Sequence, residues 1–459
     1  MWRDRSILGL LTAELVSLTG SSMTFVALPW FVLVTTGSTA KLGWVMAAQL
    51  LPIGLFGIPA GSLIARLGAK RTMLVSDAAR GPLMVVLPIL AWTGHLSFTA
   101  ILVIAFAIGC FAAPYFGSSR LVIPEVVGDD ERRVAEVNAV LGGANTLTQI
   151  AGPVLAGVLI AATSPSVVLV VDASTYVFSF LTIATVVRAG KRVEATEESA
   201  GLLAGLRYLM RDPLLGPLLI VSCVLNVVVF GLIVGINALG YFQYASAHVV
   251  GFLFGSFGVG SLLGAVLAQQ LVQRVDLLKL AAVGILIMPL PIWALGVKMP
   301  WEAALFVLGA FALGGPLVNA PIFGILTTKP PEALRPKVMT AVMTLATGAG
   351  PIGFLAAGEA LRVISLQTLF LVIAALLTVI SFAFAAVLMR NAEPKQLEPV
   401  AAGSRPQTET NTTSGPFTPP KPPSLPPHID ESPACHSEPV HVQLGHRPPP
   451  ERVVSCSAE

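Results

Sequence analysis

Apolar runs recur along this chain with polar punctuation between them. With glycine, proline and charge taken as breaks, they fall near residues 7–34, 43–64, 73–93, 98–122, 135–161 and 166–187. After a polar interval they resume near 214–239, 247–271, 279–297, 302–326, 339–361 and 367–389. Each is long enough to cross a bilayer as a helix, which takes about 20 mostly apolar residues. Helix is the form that satisfies every backbone amide within one segment in lipid. The pattern predicts an all-α integral membrane protein with twelve spans.

Two stretches break the pattern. The first, RAGKRVEATEESAGLLAGLRYLMRDP at 188–213, divides the spans six and six. Leu202, Leu203, Leu206, Leu209 and Met210 recur at helical spacing among Arg207 and Arg211, which predicts an amphipathic helix on the inner membrane surface. A plain solvated linker is the alternative. The second begins at Asn391. The last 69 residues hold 15 of the 35 prolines and almost no apolar periodicity, so a disordered, polyproline-rich tail is expected. The resulting division is 1–187, 188–213, 214–390 and 391–459.

Composition agrees with the membrane reading. The chain is 54% hydrophobic and 12% charged, against about a quarter charged in soluble proteins. A net charge of +3 gives nucleic-acid binding no support. Cys110 and Cys223 lie in apolar runs and Cys435 and Cys456 in the tail, with no disulfide framework or metal-ligand spacing. The first run is longer than the 7–15 residues of a signal h-region, so it is expected to stay as a span.

Charge also sets the orientation. With the N-terminus inside, the inner segments carry eighteen cations and the outer loops only Lys41, Lys298 and Arg362. The positive-inside rule then puts both termini in the cytoplasm of a plasma-membrane protein. The two halves also repeat. Gly57 and Gly61 recur as Gly260 and Gly264, 203 residues on, and Arg133-Val134 recurs as Lys337-Val338, 204 residues on. Parallel six-helix repeats predict a transporter with its site between pseudo-symmetric bundles.

GSLIARLGAKR at 61–71 resembles the loop between the second and third spans of the major facilitator superfamily. IPEVV at 123–127, Asn138-Ala139, GPVLAG at 152–157 and GLRYLMRDPLL at 205–215 follow in the order of its twelve-span drug–proton antiporter branch, which includes macrolide-efflux and enterobactin-exporter proteins. The resemblance covers roughly residues 6–390. It implies a gating loop of Gly61, Arg66, Gly68, Lys70 and Arg71, with Arg120 nearby, and an antiporter-like motif at Gly152, Pro153 and Gly157. One position departs from the pattern: Ala65 stands where the family places an aspartate that clasps helix ends. Asp77, Arg80 or Arg120 are the groups available to replace it.

Ionisable residues inside spans invite a functional reading, because each costs about 2.5–3.5 kcal/mol to insert at a helix centre. Glu14, followed by Ser17 and Ser21, forms a stripe suited to a water-filled cavity and to proton exchange. A solvated position near the headgroups is the alternative. Asp77 and Arg80, spaced i, i+3, are either a relay or a structural pair. Asp172 is a further candidate, placed near the outer interface, where a structural hydrogen bond competes with a proton role.

Candidate cavity residues are Trp30, Gln49, Asn145, Gln149, Asn226, Asn237 and Asn319. Few charges among many apolar groups suit a bulky neutral or amphiphilic organic solute. No phosphate-cradling Gly-x-x-x-x-Gly-Lys-Ser/Thr is present, which points to gradient-driven transport. The expectation is a monomeric secondary transporter, without cofactor or metal, exporting such a solute in exchange for protons. Open alternatives are a siderophore or metabolite exporter, an uptake symporter, and a non-transporting sensor or scaffold. An enzyme is not expected.

Overall fold

The computed structural model describes residues 4–128, 130–187 and 199–392. The tail from 393 onward and the first part of the central linker lie outside the described residues.

The first six spans are helices α1 (Arg5–Thr36), α2 (Thr39–Leu67), α3 (Ala69–Trp92), α4 (Phe98–Val127), α5 (Glu131–Ala162) and α6 (Pro165–Thr185). They run past the apolar stretches because the short polar connections supply their caps. The Asp4, Ser38, Ser97, Asp130 and Ser164 side chains each accept an N–H of the first turn that follows. Gly37, at φ 62°, closes α1 in the left-handed conformation that glycine adopts without strain.

The linker helix α7 (Ser199–Arg211) leads into α8 (Leu215–Ala238) and α9 (Ala247–Val272). The ninth span is split into α10 (Leu277–Ile287) and the short α11 (Leu290–Trp293), where Pro289 and Pro291 cannot donate to the helical ladder. Then follow α12 (Trp301–Thr328), α13 (Arg335–Gly348), α14 (Gly350–Ala360) and α15 (Leu366–Ala392). The α13–α14 break, just before Pro351, falls within the glycine-rich stretch 346–358 of the eleventh span. Among the described residues, twelve spans are long and apolar enough to cross a membrane.

The halves are packed alike. In the first, α1 packs on α5 and α6, α3 on α4 and α6, and α2 on α4. In the second, the corresponding pairs recur: α8 on α14 and α15, α10 on α12 and α15, and α9 on α12. Gly260 and Gly264 press α9 directly onto the backbone of Gly309 and Leu313 in α12, the small-residue contact expected of them. The packing of their counterparts Gly57 and Gly61 lies outside the described residues.

The halves meet through two crossings, α5 with α9 and α2 with α14. A Cβ at Gly157 would stand 2.8 Å from the Ala247 carbonyl and 3.0 Å from Gly251 Cα. A Cβ at Gly358 would stand 2.8 Å from the Thr39 carbonyl and 3.1 Å from Gly43 Cα. Both crossings lie at the cation-poor end, where Thr39 Oγ1 also donates to Gly358 O (3.2 Å) and Trp44 Nε1 to Glu359 Oε1 (3.3 Å). Toward the cation-rich end α5 separates from α9. A Cβ at Gly142 or Gly143 would meet no atom of another element within 4 Å, and Leu147 is 62% exposed. The molecule is closed at one end and open at the other.

The linker helix packs against the second half. Leu209 is fully buried, and Gly205 sits against the backbone of Lys337 and Val338 at the start of α13. Its exit is pinned by Asp212, which pairs with Lys329 at 2.7 Å and accepts the N–H groups of Leu214 and Leu215. Burial opposes ionisation of Asp212, but these bonds outweigh it and hold the carboxyl below its ordinary range.

Candidate functional site

A cavity of about 570 Å³ opens between the halves, walled by α1, α4 and α5 on one side and α8 and α9 on the other. Its apolar wall includes Phe25, Phe116, Phe254 and Phe257; its polar groups are Ser21, Ser22, Asn145, Thr146, Gln149 and Ser261. No ionisable side chain among the described residues lines it. Asn145 and Gln149, one turn apart on α5, form an amide strip with Gln149 Nε2 donating to Asn145 Oδ1 at 2.7 Å. Phe25 and Phe254 meet edge-to-face across the halves at 5.3 Å, and Trp30 meets Tyr241 at 5.5 Å.

Behind the α1 wall lies a buried ionic cluster. Arg80 and Asp77 pair at 2.7 Å, and the guanidinium is held between two aromatic faces, 4.1 Å from the Tyr115 centroid and 4.4 Å from that of Tyr176. Such a sandwich favours a cation that is out of water. Tyr115 donates its hydroxyl to Glu14 Oε1 at 3.1 Å. Asp172 accepts from Thr24 Oγ1 at 2.5 Å and from Thr175 Oγ1 at 3.2 Å. Glu14, Asp77, Arg80 and Asp172 are each at most 4% exposed. Three carboxyls therefore share one guanidinium, and the cluster is electrically neutral only when it holds two protons.

A hydroxyl–hydroxyl contact links the two regions. Ser21 lines the cavity, and its Oγ lies 3.1 Å from the Tyr176 hydroxyl.

The stripe expected along α1 divides. Ser21 reaches the cavity, whereas Glu14 and Ser17 are buried in the helix core and do not line it. Asp172, expected near the outer interface, is fully enclosed instead, because α1 and α6 pack along their lengths. Of the cavity candidates, Asn145 and Gln149 line the large cavity and Gln49 an adjoining one. Trp30 is buried in the closure with Tyr241. Asn226 and Asn237 turn their amides onto the Ser222 and Ile233 carbonyls one turn earlier, and Asn319 is exposed on α12. These three do not line the large cavity.

Around the α2–α3 turn, Gly68 takes φ 85° and Lys70 Nζ donates to the Val187 and Ala184 carbonyls (2.6 and 3.4 Å), closing the end of α6. Arg66, Arg71 and Arg120 are exposed. Asp77 and Arg80 pair with each other inside α3, so they do not stand in for the loop aspartate that Ala65 replaces. Gly152 packs on Ser22 of α1, and Pro153 and Gly157 form the α5 side of the crossing with α9. Sequence reasoning missed Tyr115 and Tyr176. The available signal was that only five tyrosines occur in the chain and these two fall within spans.

Residues 3–418 match the family described as transmembrane secretion effectors, within the major facilitator superfamily. The chain is 27% identical over 382 residues to the multidrug efflux pump Tap of Mycolicibacterium fortuitum, covering 80% of this chain and 91% of that protein. It is 25% identical over 377 residues to Tap of Mycobacterium tuberculosis (strain ATCC 25618 / H37Rv), covering 80% and 89%. Among solved structures it resembles the nucleoside transporter NupG (TM-score 0.69, 14% identity, 83% of this chain and 98% of that one). A bacterial homologue of the iron transporter ferroportin in an inward-facing state is also similar (TM-score 0.68, 16% identity, 84% and 98%). The split twelve-span fold, with its cavity between matched halves, and the match across most of the chain establish that this protein belongs to the transmembrane secretion effector family of major facilitator transporters.

Proposed function

We propose that this transporter exports a bulky, neutral or amphiphilic organic solute by alternating access, in exchange for protons. The observation that carries the reading is the Ser21–Tyr176 contact. It joins a cavity without ionisable lining to a buried cluster that is neutral only with two protons bound. An aromatic, uncharged cavity suits a lipophilic solute, and the similarity to Tap pumps favours drug efflux over nutrient uptake.

The two glycine crossings support the alternation. They bring backbone against backbone at one end, so rocking the halves breaks few side-chain bonds there beyond those of Thr39 and Trp44. One charge moving through 100 mV releases about 2.3 kcal/mol, and tenfold accumulation costs about 1.4 kcal/mol. A single coupled proton thus sustains useful export. With eighteen cations against three in the alternating segments, the open end faces the cytoplasm and receives solute from inside, and the protein works as a monomer with both termini cytoplasmic.

The test is a susceptibility panel in a pump-deficient host, followed by uptake into everted and right-side-out vesicles. The reading expects resistance to neutral lipophilic compounds and energised accumulation in everted vesicles. Accumulation confined to right-side-out vesicles would mean import.

A further inference from the structure

A smaller cavity of about 230 Å³ adjoins the large one and shares Ser21, Phe25 and Phe116 with it. It reaches into the first half as far as Arg80 and Gln49. Its polar groups have capacity to spare. The Arg80 guanidinium makes one hydrogen bond, from Nη2 to Asp77, and its Nε is buried without a partner. The Gln49 amide makes no side-chain hydrogen bond among the described residues. The buried Arg80 Nε is costly to leave unpaired, and the partly exposed Gln49 amide is free to donate to whatever enters the chamber.

The charges nearby determine what can arrive. Asp77 is already bonded to Arg80, Asp172 lies on the Tyr176 side and Glu14 on the Tyr115 side. Three carboxyls around one guanidinium oppose a further anion, while a neutral oxygen meets donors without that repulsion. The shared mouth is aromatic, so a group entering the chamber is attached to an apolar body that stays outside it.

We propose that this side chamber is a subsite for a neutral carbonyl, a ketone or amide, carried on an apolar body that fills the larger cavity. This rests on the reading that the larger cavity holds the transported solute.

The test compares two tritiated probes of the same shape, acetylnaphthalene and isopropenylnaphthalene, binding to the purified full-length protein by scintillation proximity. The ketone is expected to bind about tenfold tighter, the upper range for one hydrogen bond from a neutral donor such as the Gln49 amide. Gln49→Leu and Gln49→Met, each checked for monodispersity, are expected to bring the two probes within about twofold, as loss of that bond requires. Equal affinities in the unaltered protein would overturn the subsite, as would a preference that survives both substitutions, or binding of neither probe. The export reading is decided separately by the vesicle assay, so either can fail alone.

Discussion

Ser21 and Tyr176 lie with their hydroxyl oxygens 3.1 Å apart, one facing the solute cavity and the other covering the Arg80 guanidinium. Removing the Tyr176 hydroxyl cuts this link while leaving the aromatic face on Arg80. Tyr176→Phe is therefore expected to lower solute-stimulated proton flux by about tenfold, in line with loss of one hydrogen bond to a charged network. Solute affinity should fall far less. A pH-indicating dye inside proteoliposomes reads the first and equilibrium binding the second.

Glu14 is hydrogen-bonded to the cluster through Tyr115. Glu14→Gln keeps the size and the acceptor oxygen but fixes the group as neutral. Proton-driven transport should disappear, while expression and solute-driven exchange persist. Counterflow and pH-driven uptake, measured on the same preparation, separate the two.

Asp77 and Arg80 are buried together, so removing either strands the other. Arg80→Met alone should destabilise the protein by about 3–5 kcal/mol, and combination with Asp77→Asn should recover most of the loss. Thermal unfolding of the three variants in one detergent checks this. Equal stability of single and double variants would mean that the pair is not coupled.

Gly157 faces Gly251 across the closed end. Gly157→Val puts a branched side chain where a single Cβ already meets backbone, so the α5–α9 crossing should open. Spin labels on α5 and α9 at the closed end should report a longer distance than in the unaltered protein, and pH-driven transport should fall.

Asp212 holds the linker to the base of α12 through Lys329. Because its folded-state affinity for a proton is lowered, the pair contributes fully above the ordinary aspartate value of about 3.9. That contribution is lost as pH falls through the lowered value. Amide exchange of α7 should accelerate across that acidic window, and Asp212→Asn should remove the pH dependence.

The spans were legible because hydropathy and lipid thickness fix them with little help from neighbours. Pro289 and Pro291 interrupt the ninth span inside a run apolar enough to be read from sequence as one continuous helix. The ionic cluster was legible only in pieces. Glu14, Asp77 with Arg80, and Asp172 each stood out as charges in lipid, but they lie on α1, α3 and α6, and only packing brings them around one guanidinium. Asn226 and Asn237 show the opposite limit. Their amide nitrogens donate to carbonyls of their own helix, and composition cannot separate such residues from cavity-facing ones like Asn145.

The most direct measurement is simultaneous proton and solute flux in proteoliposomes under an imposed pH gradient, using a radiolabelled neutral drug from the susceptibility panel. The account predicts that protons move down the gradient only when the drug is present, and that the drug moves the opposite way against its own gradient. Drug movement indifferent to the pH gradient, with no matching proton current, would contradict it.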